Sequence, residues 1–433
     1  MTLESWGRVP PANQKAHWLQ WASEPLPDAG GLTMLPYGLG RSYGDSCLNH
    51  KGLALVTPRM DKFLGFDPES GLLECEAGVS FDTLLDVFVP RGWFLPVTPG
   101  TRYVTVGGSI ANDVHGKNHH RSGTFGEHVE WLELLRPDLG RLRCSQTENT
   151  ALFRATIGGL GLTGLITRAA FKLKRIANPW IDMETIPFAN VDKFFELAAE
   201  SDKRFDYTVS WVDCIASGSR LGRGIYMGGN NASTAPAKNY REPRRAVPFD
   251  FPSFALNGLT VRAFNTTYHA AQSMRAGKST VHYKPFFYPL DAVKNWNRIY
   301  GRRGFHQHQC VVPFAGSHEP IRRILEAIAE SRQGSFLAVL KICGKREPAG
   351  MLSFPMEGVT LALDFAHCGE STTRLLQRLD DITLEAGGRT YPAKDGRIDA
   401  RHFQSFYPNW REFSAHIAPG FSSDFWKRVS APV

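Results

Sequence analysis

Residues Pro96 to His120 read PVTPGTRYVTVGGSIANDVHGKNHH, and this stretch decides the fold. Gly100, Gly107, Gly108 and Gly116 are interleaved there with the hydroxyls of Thr101, Thr105 and Ser109. Small residues let the backbone come close to a ligand, and hydroxyls supply donors for phosphate or ring oxygens. A close-packed corner without a ligand would not need so many donors, so the tract points to a bound group.

Upstream, Tyr37 to Asp45 reads YGLGRSYGD. Gly38, Gly40 and Gly44 allow a bend that can aim several N–H groups at one anion, as a pyrophosphate requires. Taken alone, this motif is equally a tight turn between strands. Downstream, Gly158 to Gly164 (GGLGLTG) contains a literal G-x-G-x-x-G from Gly159. A dinucleotide fingerprint should follow a strand and open a helix. Here Ile166-Thr-Arg-Ala-Ala-Phe-Lys-Leu173 continues as a strand, so no nicotinamide site is expected. His115, His119, His120 and His128 cluster, but His115 and His119 would need a helix to converge on a metal. Gly116 and Gly123 oppose one and no carboxylate array accompanies them, so no metal site is expected.

At 433 residues two packed domains are the default. With 42% hydrophobic and 21% charged residues the chain is neither disordered nor fibrous. The net charge of +8 suits phosphates, acidic lipid or nucleic acid, or simply a soluble basic surface. Seven scattered cysteines without C-x-x-C suggest neither a disulfide framework nor zinc, and fit a reducing compartment. There is no apolar signal segment at the start and no run of about 18 apolar residues, so the expected state is soluble or on a membrane surface.

Between Gly31 and about Arg175 short apolar runs such as Leu53–Val56 and Trp131–Leu135 are broken by turns. Later, Glu319-Pro320 opens a helix with Ile321, Ile324, Leu325 and Ile328 at helical spacing, closed by Gly334. Ser335 to Cys343 reads as a buried strand. A second helix runs from about Thr372 through Leu375, Leu376, Leu379 and Ile382 to Gly387-Gly388. This alternation suggests an α+β domain with helices on one side of an antiparallel sheet. Gly228 to Pro252 keeps no period and reads as a mobile flap. In it and just beyond it, Lys238, Arg241, Arg244 and Arg245 are interleaved with Tyr240, Phe249, Phe251 and Phe254, a pattern suited to an acidic lipid surface.

Together these segments resemble the PCMH-type FAD-binding domain of the vanillyl-alcohol-oxidase superfamily, and within it the oxidases of polyprenyl-phosphoryl ribose. FFYPLD (Phe286–Asp291), NWNRIYG (Asn295–Gly301), LSFP (Leu352–Pro355) and YPAKDGR (Tyr391–Arg397) extend the likeness over most of the chain. The resemblance implies a two-subdomain FAD-binding domain with an inserted substrate domain of antiparallel sheet plus helices. The boundaries it suggests are 1–175 for the FAD-binding domain, 176–387 for the substrate domain, and 388–433 for the return to the FAD side.

The cofactor implied is FAD. Pro36, Tyr37, Gly38, Leu39, Gly40, Arg41, Ser42, Tyr43, Gly44, Asp45 and Ser46 would hold its pyrophosphate, while Gly100, Thr101, Thr105, Val106, Gly107 and Gly108 would line it. Asn112, Asp113, Val114, His115 and Gly116 would pass the isoalloxazine, Ile166 would give a backbone contact, and Tyr391 would touch the flavin. Relatives that bind FAD covalently often carry histidine where this chain has Arg41, so non-covalent binding is expected. The substrate pocket implied comprises Trp211, Gln307, Gln309, Lys341, Thr360 and Lys394. Lys394 and His115 are both candidates to handle the alcohol proton. Relatives differ at Thr360 (asparagine), Ala362 (cysteine) and Cys343 (an aromatic), which leaves the sugar and lipid open.

The activity implied is oxidation of the 2′-hydroxyl of a polyprenyl-phosphoryl-β-D-ribose to the ketone, the first half of an epimerisation to arabinose for cell-envelope arabinan. An NAD(P)H-dependent ketoreductase would complete it, and a quinone or oxygen would take the electrons. No nucleic-acid partner is expected. The location implied is cytoplasmic, with peripheral contact to the inner face of the membrane. An oxidase of free sugars, alditols or aldonolactones is the enzymatic alternative, and a basic lipid-phosphate-binding protein the non-enzymatic one.

Overall fold

A computed structural model of the chain describes residues 3–201, 203–237, 239–243 and 245–432. Among them, the glycine-rich first part forms two larger sheets, beside a short pairing of Trp93–Phe94 with Lys174–Arg175. In one, Leu53–Val56 lies between Lys15–Trp18 and Met34–Tyr37, with all pairings parallel. Its four residues are all buried, as a central strand covered on both faces requires. The other is antiparallel, in the order Phe63–Phe66, Leu72–Glu76, Leu165–Lys172, Val129–Arg136, Gly140–Ser145. Leu165–Lys172 is a strand, so the GGLGLTG stretch leads into a strand as read and opens no helix.

The larger sheet has eight antiparallel strands among the described residues. Their order is Gly277–His282, Trp180–Phe188, Gly224–Asn231, Tyr207–Val212, Ala338–Cys343, Gly358–Ala366, Phe305–Pro313, Arg389–Thr390. Helices Val191–Ser201, His318–Ser331 and Glu370–Glu385 cover one face. Phe194, Ile324, Leu325, Ile328, Leu375 and Leu379 pack there on Cys310, Val312, Leu340, Leu361 and Leu363. Alternation then turns the intervening residues to the other face. Gln309, Ala362, Val339 and Trp211 form one row across four strands, and Gln307–Asp364 and Lys341–Thr360 lie two residues to either side. That face meets the glycine-rich part: Lys341 donates to the Gly116 carbonyl and the Gln309 amide bonds His115.

Past the sheet, helices Ala400–Phe406, Trp410–Ser414 and Asp424–Val429 pack on Leu35, Leu160 and Leu162, bringing the chain end back to the glycine-rich part. Three expectations need correction. The helix His318–Ser331 ends before Gly334, at Arg332 in a left-handed conformation (φ 57°). Ser335–Leu337 turns, with the Ser335 hydroxyl bonding the Leu337 carbonyl, so the strand starts only at Ala338. Gly228–Asn231 belongs to a strand rather than a flap, because it pairs with Ile181–Glu184. Within the remaining segment Tyr240 stacks on His282 at 4.2 Å, and Glu242 pairs with Arg102 and Lys284. Lys238 and Arg244 lie outside the described residues.

Candidate functional site

A cavity of about 700 Å³ lies between the large sheet's free face and the glycine-rich part. The loop Gly38–Ser42 forms part of its wall. None of its five backbone N–H groups has an acceptor among the described residues. Adjacent, the Ser46 hydroxyl is buried without a partner. Unpaired donors gathered on one cavity wall suit an acceptor-rich anion. The loop is held by Tyr37, whose hydroxyl donates to the Glu4 carbonyl at 2.6 Å, and by Gly40 at φ 63°. A Cβ on Gly40 would meet that same hydroxyl. Arg41 lies over the Trp6 ring at 4.4 Å, and burial lowers its pKa.

Thr105 caps the helix Val106–Ala111, accepting from Gly108 N–H at 3.1 Å. A Cβ on Gly38 would come within 2.7 Å of the Thr105 hydroxyl, so the two glycine motifs meet only because Gly38 has no side chain. Gly100 is the opposite case. It lines the cavity, and a Cβ there would meet nothing within 4 Å, so its missing side chain is cavity space.

His115 sits where the two halves meet, tilted against Phe354 and Tyr391. Its Nε2 accepts from the Gln309 amide at 3.0 Å, which leaves its proton on Nδ1, buried without a partner among the described residues. Burial holds its pKa well below the usual range, reinforced by the charges of Lys341, His119 and Lys394. Lys341 donates to the Gly116 carbonyl at 2.5 Å, and burial brings its pKa down to about 8. The Lys394 ammonium lies 3.8 Å from the Tyr43 ring centroid. Burial lowers its pKa to about 7, against the opposing pull of Asp364. Asp364 is fully buried and raised to about 7 in turn. Its Oδ1 accepts from the Gln307 amide, and its Oδ2 has no partner among the described residues. Trp211 donates to the Phe336 carbonyl and packs on Tyr268 at 4.8 Å.

Of the residues expected in the site, Pro36, Gly38, Leu39, Gly40, Arg41, Ser42, Tyr43 and Ser46 lie on this cavity. So do Gly100, Thr101, Thr105, Gly107, Gly108, Asn112, Val114, His115, Gly116, Ile166 and Tyr391, with Trp211, Gln307, Gln309, Lys341 and Lys394. Six stand behind the wall instead. Tyr37 is turned to Glu4, and Gly44 abuts the Asp395 carbonyl. Asp45 is taken by Arg428 at 2.6 Å. Val106 is buried in the apolar core. Asp113 accepts from Ser353 and from Gly126 N–H. Thr360 reaches the site only through Gln309, at 3.4 Å. The histidines do not converge: His120 bonds the Phe205 carbonyl and His128 the Ser122 carbonyl.

Two lining or adjoining groups went unread in the sequence. Lys117 is on the cavity wall, bonded to the Phe286 carbonyl, with its pKa brought to about 7 by burial and then by Lys341. Asp364 stands behind Gln307. The signals were present: Lys117 lies inside HGKNHH, and Asp364 follows Thr360 and Ala362 at the two-residue period of one sheet face.

A model of the FAD-binding domain family matches residues 26–145. The chain is similar to decaprenylphosphoryl-beta-D-ribose oxidase of Mycolicibacterium smegmatis, 33% identical over 99% of this chain and 97% of that protein. It is 30% identical to an uncharacterized protein in the mprA 5′ region of Streptomyces coelicolor, over 81% of this chain and all of that one. To a D-lactate dehydrogenase of Anaerostipes hadrus it is 25% identical over 33% of this chain and 30% of that protein. The matched span contains both glycine motifs, and the residues fit FAD. The unpaired amides of Gly38–Ser42 suit its pyrophosphate, and the open space at Gly100 accommodates its bulk. Glycine loops for a pyrophosphate, a cavity between two halves and likeness over nearly the whole length agree: the chain belongs to the family of FAD-dependent oxidoreductases acting on CH–OH groups that includes decaprenylphosphoryl-beta-D-ribose oxidase.

Proposed function

We propose that the protein oxidises a secondary alcohol of a sugar carried on a lipid phosphate, the 2′-hydroxyl of a polyprenyl-phosphoryl-β-D-ribose. The observation that carries this reading is the sheet face Trp211–Lys341–Gln307–Gln309, closed by Lys394 and Lys117. Two amides suit sugar hydroxyls, an indole suits the face of a sugar ring, and the ammonium groups of Lys341 and Lys117 suit a phosphate. The full-length likeness to the ribose oxidase supports the same class.

FAD, when bound, supplies the hydride acceptor. It would be held by Gly38–Ser42, Gly100, Gly107 and Gly108, with Tyr391 and His115 beside it. The protein's own part is to orient the alcohol and take its proton. Lys394 Nζ is the better acceptor of that proton. Burial pushes its pKa well down from the usual lysine range, against the opposing pull of Asp364 behind Gln307, so the neutral amine comes within reach as a base. His115 is the weaker candidate, because the Gln309 amide occupies its Nε2 lone pair and burial depresses its basicity. It serves instead to fix Gln309 against the substrate.

The 2′-keto product would pass to an NAD(P)H-dependent ketoreductase, and a quinone or oxygen would reoxidise the enzyme. Among the described residues no helix is long and apolar enough to cross a membrane, and the reading places the protein at the membrane surface where its lipid substrate resides. Anaerobic titration tests it. Polyprenyl-phosphoryl ribose should bleach the flavin absorbance, whereas free alditols and aldonolactones should not. Bleaching by the free compounds alone would establish a free-sugar oxidase instead.

A further inference from the structure

The helix Gly258–Ser273 is sixteen residues long, yet only Val261 and Asn265 along it are buried. Its exposed positions Leu259, Ala263, Thr267, Ala270 and Met274 recur three or four residues apart and so form one outward stripe, which carries no charge. A helix face turned to water would ordinarily be charged. Phe254 before it, Leu259 and Met274 at its end are 78%, 79% and 83% exposed. Upstream, Phe249 is 63% exposed as well.

Basic residues are concentrated in this part of the chain. From Ala232 to His282 the sequence has seven Lys and Arg and two acids, hence five of the chain's eight net positive charges. Both acids are already engaged: Glu242 pairs with Arg102 and Lys284, and Asp250 with Arg8. Arg241, Arg245, Arg262 and Arg275 are exposed and have no carboxylate partner among the described residues. The face also continues inward. Phe264, partly exposed, stacks on Tyr268, which packs on Trp211, and both Tyr268 and Trp211 line the cavity.

We propose that this helix, with Phe254 and the arginines around it, docks the protein on an anionic lipid bilayer. An uncharged apolar stripe flanked by Arg262 on the same helix and Arg275 just past its end, both without a carboxylate partner among the described residues, is the pattern of a helix lying in a membrane interface. The aromatic path from Phe264 to Trp211 then leads from the bilayer into the cavity. That path rests on the lipid-linked substrate proposed above, whereas the docking itself does not.

Holoprotein should co-sediment with phosphatidylcholine–phosphatidylglycerol vesicles and less with pure phosphatidylcholine. The variant Phe254→Ser/Leu259→Gln/Met274→Gln should bind weakly at every salt concentration. Arg262→Ser/Arg275→Ser should lose about fivefold in affinity per arginine at low salt, and less at high salt. All three proteins should retain FAD absorbance and turn over a water-soluble substrate analogue equally. Wild type left in the supernatant, or a triple apolar variant that binds like wild type, would overturn the proposal. So would a wild-type dimer that the apolar variant converts to monomer, since the face would then be an interface between copies. Loss of FAD or of turnover in either variant would place these residues in the fold or the site and overturn it too. Vesicle binding without reduction by polyprenyl-phosphoryl ribose would leave the docking in place and remove only the substrate.

Discussion

Lys394→Ala is the perturbation most directly tied to the proposed chemistry. In the folded protein the Lys394 pKa is brought from 10.5 down to about 7 by burial, partly countered by Asp364. The deprotonated amine is the acceptor, so the rate of anaerobic flavin reduction should climb with pH through neutrality and level off above it. Below that midpoint it should fall about tenfold per pH unit, because the neutral fraction does. Removing the amine takes away a positioned base, which is worth about 10²–10⁴ in rate, or roughly 3–5 kcal/mol of barrier. The flavin spectrum should be unchanged, since the ammonium lies over Tyr43 rather than in the Gly38–Ser42 loop. Stopped-flow reduction across pH 5.5–9 (roughly one and a half to two units either side of the midpoint) reads both effects. Asp364→Asn adds a signed control. Without the carboxylate the Lys394 pKa should fall further, moving the rising limb to lower pH. A Lys394→Ala enzyme that reduces its flavin at the wild-type rate, or keeps the wild-type pH slope, refutes the assignment of the base.

Three further outcomes are expected. Acid precipitation should release all the FAD and leave a colourless pellet, because arginine at position 41 offers no imidazole for a flavin bond. Gly100→Leu should fold normally, since nothing lies within 4 Å of its Cβ, but should weaken FAD retention about tenfold or more by filling cavity space, as measured by fluorescence titration. Arg428→Met should strand the largely buried carboxylates of Asp45 and Asp395, which it bonds at 2.6 and 3.0 Å, and cost about 3–5 kcal/mol in denaturant unfolding of the holoprotein.

How much of this was legible in the sequence depended on whether a feature is local. The glycine motifs were readable because a positive φ or a close approach leaves only glycine: Gly40 and the Gly38–Thr105 contact are cases in point. The helices at Ile321 and Leu375 were readable because their apolar faces keep the 3.6-residue period against the sheet. The second helix stops at Gly387 as read, in a left-handed conformation, whereas the first ends at Arg332, which occupies the left-handed position that glycine normally marks. In the site, Gln307 and Gln309 share a face through the two-residue period alone, but their proximity to His115 joins residues nearly two hundred positions apart. The large sheet's order places Phe305–Pro313 beside Gly358–Ala366, and no local pattern states that pairing. Asp364 escaped notice for the same reason. A single acid at the end of an apolar strand looks like a strand terminus until register sets it behind Gln307, near Lys394.

The helix Gly258–Ser273, with its uncharged stripe, shows the limit from the other side. Its sequence, GLTVRAFNTTYHAAQS, has apolar and small residues at helical spacing and would be read as half-buried. Only the fold reveals that its stripe faces outward, because Val261 and Asn265 already supply its contacts with the core and Asn265 is tied to Asp213 at 2.9 Å. Periodicity specifies that a helix has an apolar side, not what that side meets. Here what it meets has to be argued from the arginines around it and from the cavity behind Tyr268. Those two features point the same way, toward the anionic amphiphile proposed as substrate, with its head group between Lys117 and Lys341 and its chain in the bilayer.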